Sequence, residues 1–128
     1  MKETFRLVKK KIIVSPIIKG LKDEKDFNFI VDTGASVSII DETVAAFLGF
    51  DIKKLKVENL TTISGRATSK ILKLPKIELF GRSMSNFEVK VMDLPAQVTL
   101  LADGLIGTDF LLKFKQLKID FEAKTIEI

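Results

Sequence analysis

The sequence has no cysteine, no histidine, no tryptophan and no tyrosine. Without cysteine there is neither a disulfide nor a thiolate nucleophile, and without histidine no Ser-His-Asp triad can form within one chain. The usual zinc sites fall with them. Acid–base chemistry carried without a cofactor must therefore use carboxylates, lysines or hydroxyls. A carboxylate-only magnesium or calcium site would need closely spaced acids interleaved with glycine, and no loop has that pattern, so neither metal nor cofactor is expected. The missing Trp and Tyr also remove the best platforms for stacking nucleic-acid bases. The net charge is only +4, and the lysines are scattered apart from Lys9-Lys10-Lys11, Lys53-Lys54 and Lys113-Lys115-Lys118, so no nucleic-acid partner is expected. No stretch approaches the roughly 18 apolar residues of a membrane span. Met1-Lys2-Glu3-Thr4-Phe5-Arg6 lacks the apolar centre of a signal peptide. A cytoplasmic protein that makes no membrane contact is expected, whether the chain stands alone or is part of a longer one.

What is present is a folded, core-forming composition, 46% hydrophobic over 128 residues, expected to make one domain spanning 1–128. The patterning is mostly β. Residues 5–19 read as a strand interrupted at Pro16, and 20–26 as a charged turn returning the chain into Phe27. Asp41 to Gly49 reads as a short helix, with Asp41 as cap and Gly49 as stop. Val57 to Leu74 is strand-like on either side of Thr62-Ile63-Ser64-Gly65-Arg66-Ala67, the tip of a hairpin. Pro75–Phe80 and Asn86–Met92 form another hairpin about Gly81-Arg82. Residues 93–103 are irregular around Pro95 and are expected to border either the binding cleft or an opposite subunit. A second short helix covers 108–114, and two strands, 117–121 and 125–128, end the chain.

The stretch that organises the rest is Phe27-Asn28-Phe29-Ile30-Val31-Asp32-Thr33-Gly34-Ala35-Ser36-Val37-Ser38-Ile39-Ile40. One apolar run delivers Asp32 into a turn and a second carries the chain away. An ionised side chain held between buried segments costs several kcal/mol unless it is hydrogen-bonded, paired or neutralised, so such an acid is either capped or functional. Read alone, Asp32-Thr33-Gly34 is also an ordinary turn. Downstream, Leu105-Ile106-Gly107 brings an apolar pair to a glycine just before a helix.

These two motifs, in this order, resemble the retropepsin-like aspartic proteases, the single-domain relatives of pepsin. The resemblance covers about residues 11–128. It implies a closed β-barrel with one or two short helices, and an aspartic endopeptidase. Asp32 would be the catalytic acid or base. Thr33 would hydrogen-bond across to a second copy, and Gly34 would permit the tight turn. Ala35 and Ser36 would line the substrate path, Ser64 and Gly65 would sit at the tip of a flap, and Ile106 would reach a side-chain pocket, with Val31, Ile63 and the 94–103 loop as further apolar lining. Because Asp-Thr-Gly occurs once, the two-aspartate dyad would be completed by a homodimer acting on peptide or protein substrates. Ala35 stands where pepsin-like enzymes carry a hydroxyl, which favours a weakly acid optimum. Ser36 and Thr108 replace the charged residues that pair in retroviral enzymes, and the last strand can pair either within its own chain or with a partner. A catalytically weak peptide-binding module of the same fold is the alternative.

Overall fold

The computed structural model describes the backbone of all 128 residues and every side chain except that of Thr62. The chain opens with β1 (Lys2–Thr4), β2 (Arg6–Val8), β3 (Lys11–Val14), β4 (Ile17–Lys19), β5 (Glu24–Asp26) and β6 (Phe29–Val31). β7 (Ile39–Asp41) leads directly into helix α1 (Glu42–Phe47), and a single 3-10 turn follows at Ile52–Lys54. The two long strands of the hairpin region are β9 (Gly65–Leu79) and β10 (Arg82–Met92), preceded by β8 (Lys56–Thr62). Helix α2 (Ala96–Thr99), β11 (Gly104–Ile106), helix α3 (Thr108–Leu111), β12 (Lys118–Asp120) and β13 (Thr125–Glu127) complete the chain.

Ten strands form one sheet in the order β2-β3-β6-β11-β7-β10-β9-β4-β5, with β8 attached to β9. The barrel expected from the sequence is not closed: among the described residues β2 and β5 are left as edges. The edge at β5 is Glu24-Lys25-Asp26, exposed throughout, and such charged edge strands resist further pairing. The mostly β character stands, with three short α-helices where one or two were expected. The additional helix, α2, sits in the segment that Pro95 made look irregular, and Pro95 serves as its N-cap.

Several boundaries follow turn chemistry that the sequence hides. The expected first strand is split into β2 and β3 by a tight turn in which Lys9 and Lys10 both adopt positive φ, 47° and 64°. Lysine is not a usual turn residue, so no signal marked it. The expected break before Pro75 is absent, since β9 runs through it. The hairpin that follows turns at Phe80 and Gly81, both at positive φ, the two-residue geometry whose twist matches the flanking strands. Helix α1 agrees with expectation: the Asp41 carboxylate caps it and Gly49, at φ 95°, lies just beyond its end.

Phe29, Ile40, Leu74, Ile77, Ile106 and Phe110 are fully buried and hold the main core together. Phe110 meets Phe87 edge to face at 5.5 Å between ring centres, an arrangement that adds a little to the burial itself. The terminal strands make a separate sheet, β1-β13-β12. Met1 O accepts a hydrogen bond from Ile128 N at 3.1 Å. Among the described residues no helix is long and apolar enough to cross a membrane.

Candidate active site

Asp32 leaves β6, a strand held on both sides. β3 pairs antiparallel to it through Ile13 and Ile30, and β11 runs parallel to it with Ile106 opposite Val31. The alignment brings the ends of β6 and β11 together, so the Asp32 loop and the Gly107 loop share one corner. Asp32 N donates to Ile106 O at 2.9 Å, and Ala35 N donates to Asp32 O at 3.2 Å. Gly34 N donates to Asp32 Oδ1 at 2.9 Å. Oδ2 has no donor among the described residues. One oxygen is thus fixed by the loop itself.

The loop is locked from behind by a second carboxylate. Asp109 receives the Ser38 hydroxyl at 2.7 Å on Oδ1 and Ser38 N at 2.9 Å on Oδ2. The same hydroxyl oxygen accepts Gly107 N at 3.0 Å, and Thr108 N donates to Ala35 O at 2.8 Å. Gly107 packs so tightly that a Cβ there would lie 2.7 Å from the carbonyl oxygens of both Ala35 and Val37. Only glycine lets the two loops approach this closely.

A third acid, Asp41, organises the frame. It is 5% exposed. Its carboxylate accepts from Leu94 N at 2.9 Å, from Thr43 N at 3.1 Å and from the Thr43 hydroxyl. Burial pushes its pKa up, but these hydrogen bonds outweigh it and hold the group below the ordinary aspartate value. At the far end of the same segment Asp103 Oδ2 accepts Asn28 N at 2.9 Å, and Asp103 N donates to Asn28 O at 2.7 Å. Residues 94–103 are therefore pinned at both ends, which presents α2 to the cleft.

Asp32 opens onto a cavity of about 460 Å³, lined by Ile12, Ile30, Val31, Leu105, Val98 and Leu101, with Gln97, Lys10 and Lys11 also on its wall. That size suits a ligand side chain or small molecule. A larger hollow of about 580 Å³ lies between β10 and α3, but Asp32 is not part of it.

The structure gathers Asp32, Thr33, Gly34, Ala35 and Ser36 on one loop, with Thr33, Gly34 and Ser36 exposed. Ser64 and Gly65 lie exposed at the tip of the β8–β9 hairpin, where Thr62 pairs with Gly65 and Ile63 and Ser64 make the turn. Ile106 does not face a pocket. It is fully buried, and because side chains alternate along a strand its neighbour Leu105 lines the cavity instead. Ile63, also expected as lining, is exposed at the hairpin tip. The sequence reading missed Ser38, Asp109 and the two lysines. The hydroxyl at Ser38, between apolar neighbours in a buried strand, was the one available hint.

An aspartate in a Thr-Gly turn, backed by an apolar-apolar-glycine strand end in a mostly β sheet, defines the retropepsin-like aspartic protease fold. The model of the aspartyl protease family matches residues 17–110, and the chain belongs to that family. Among solved structures it is similar to a retropepsin-like aspartic protease from Rickettsia conorii, at 22% identity over 98% of this chain and 88% of that one, with a TM-score of 0.70. It is also similar to EIAV protease complexed with the inhibitor HBY-793, at 18% identity over 84% of this chain and 91% of that one, TM-score 0.63. A third likeness is to the retroviral protease-like domain of Ddi1 from Leishmania major, at 22% identity over 92% of this chain and 87% of that one, TM-score 0.61. No curated protein matches the sequence.

Proposed function

We propose that this chain, as one domain over residues 1–128, is an aspartic endopeptidase whose active form is a homodimer with one Asp32 from each copy. The observation that carries the reading is the asymmetry at Asp32: Oδ1 is held by Gly34 N, while Oδ2 stands beside an apolar cavity with no donor among the described residues. Two such carboxylates brought together cannot both ionise, so they share one proton. The ionised partner takes a proton from water as it attacks the peptide carbonyl, and the protonated partner donates to the carbonyl oxygen.

In this reading Thr33, exposed beside the acid, bonds across the two-fold axis, and Gly34 keeps the backbone thin where substrate passes. Ala35 and Ser36 flank the substrate path, and the hairpin tip at Ser64 and Gly65 closes over it. Ala35 offers no hydroxyl to the dyad, which favours a weakly acid optimum. No metal or cofactor enters the reaction. The test is cleavage of casein and a peptide library by the purified protein beside Asp32→Asn. The substitution keeps the acceptor for Gly34 N and so preserves the loop, while the rate should fall by about 10²–10⁴-fold, the range of a lost general acid–base. Equal cleavage by both proteins eliminates the protease in favour of a binding module.

A further inference from the structure

We propose that the cleft selects peptides carrying an acidic side chain two residues from the apolar residue at the cleaved bond, and that Lys10 and Lys11 read that acid. This rests on the protease reading above. The cavity at Asp32 has an apolar body, with Ile30, Val98, Leu101 and Leu105 among its lining, and both lysines are part of the same wall. They are carried by the β2–β3 hairpin, whose position against β6 is set by the pairing of Ile13 with Ile30. Lys10 lies in the turn itself, where it and Lys9 are held at positive φ, and Lys11 opens β3.

Both lysines are exposed, and the described ion pairs all belong to Lys90, with Glu58 and Glu88. Among the described residues the one acid lining the cavity is Asp32 itself, which the proposed reaction occupies. Two cations with no ion-pair partner among the described residues, beside an apolar pocket, attract a negatively charged peptide and favour a carboxylate at close range. Peptide geometry sets the spacing. In an extended chain, residues two apart project from the same face about 7 Å from each other. When the apolar side chain fills the pocket, the second one comes within reach of the flexible lysine stems at its edge.

The test uses matched peptides with an apolar residue at the cleavage point and Glu, Gln or Lys two positions away on either side. At low salt the wild type should prefer Glu over Gln by about 3–10-fold in kcat/KM, the combined worth of two exposed charge pairs. The ratio should shrink toward one at about 0.5 M salt as screening sets in. Lys10→Gln with Lys11→Gln should bring it to about one at any salt, and Lys10→Glu with Lys11→Glu should invert it. No preference in the wild type, or a preference that survives in the Gln variant, overturns the proposal. Binding of the same peptides to Asp32→Asn protein, read by fluorescence anisotropy, gives a measure independent of turnover. A Glu preference there, lost on removing the lysines, supports the proposal even if nothing is cleaved, in which case the protease reading alone fails. Equal binding of Glu and Gln peptides overturns it.

Discussion

Asp41 ties three segments to one carboxylate: the end of β7, the first turn of α1 and the start of the segment leading to α2. Its hydrogen bonds favour the ionised form, so its pKa is lower folded than unfolded, and the sign of the linkage follows. The contribution is fully present above the ordinary aspartate pKa and is lost as pH falls through the lower folded value. Asp41→Ala removes the helix cap and leaves Leu94 N without its partner, and should cost about 2–3 kcal/mol at neutral pH. Asp41→Asn should cost less, and its deficit against the wild type should narrow as urea unfolding is repeated from pH 6 down to pH 3. A deficit constant across that range would show that the charge plays no part. The cap was legible in the sequence because a helix start depends on near neighbours. The bond to Leu94, 53 positions along, was not, because nothing local marks a long-range partner.

Among the elements, the meeting of β6 and β11 decides the geometry at Asp32. The glycine after Leu105-Ile106 was legible as a motif, and the structure gives it a steric reason. Gly107→Ala drives a methyl against two carbonyl oxygens, which backbone movement alone can relieve. It should lower stability by about 1–3 kcal/mol and reduce cleavage further than that loss explains, because the Asp32 loop moves with it. Thermal melts and kcat/KM on the folded fraction separate the two effects. The sequence could not tell which of Leu105 and Ile106 faces the pocket. Both are apolar, and with both faces of the strand covered the alternation that normally fixes orientation carries no signal. The β2–β3 turn escaped for a related reason: its residues are lysines, and the φ they adopt is imposed by strand pairing.

For the molecule as a whole, the mostly β fold was legible because the alternating runs are frequent and clearly bounded. Sheet order was not, since β7 pairs parallel to β10 and antiparallel to β11 across long stretches of chain. Of the two pairings the sequence allows for the terminal strand, the structure shows the one within the chain, with β13 flanked by β1 and β12. Both its edges are filled within the chain. The proposed dimer should therefore form between folded subunits and separate without unfolding. Activity per chain should rise with protein concentration, tracking the dimer fraction in sedimentation, while circular dichroism at a fixed temperature stays unchanged. Loss of secondary structure on dilution would contradict this.

The hydrogen bond between Ile128 N and Met1 O makes residues 1 and 128 neighbours across a single strand pair. Covalent order at that corner is consequently exchangeable. A ring sealed there with a short linker and cut open in the 121–124 turn would keep the same partners for β1, β12 and β13, with first and last residues relocated.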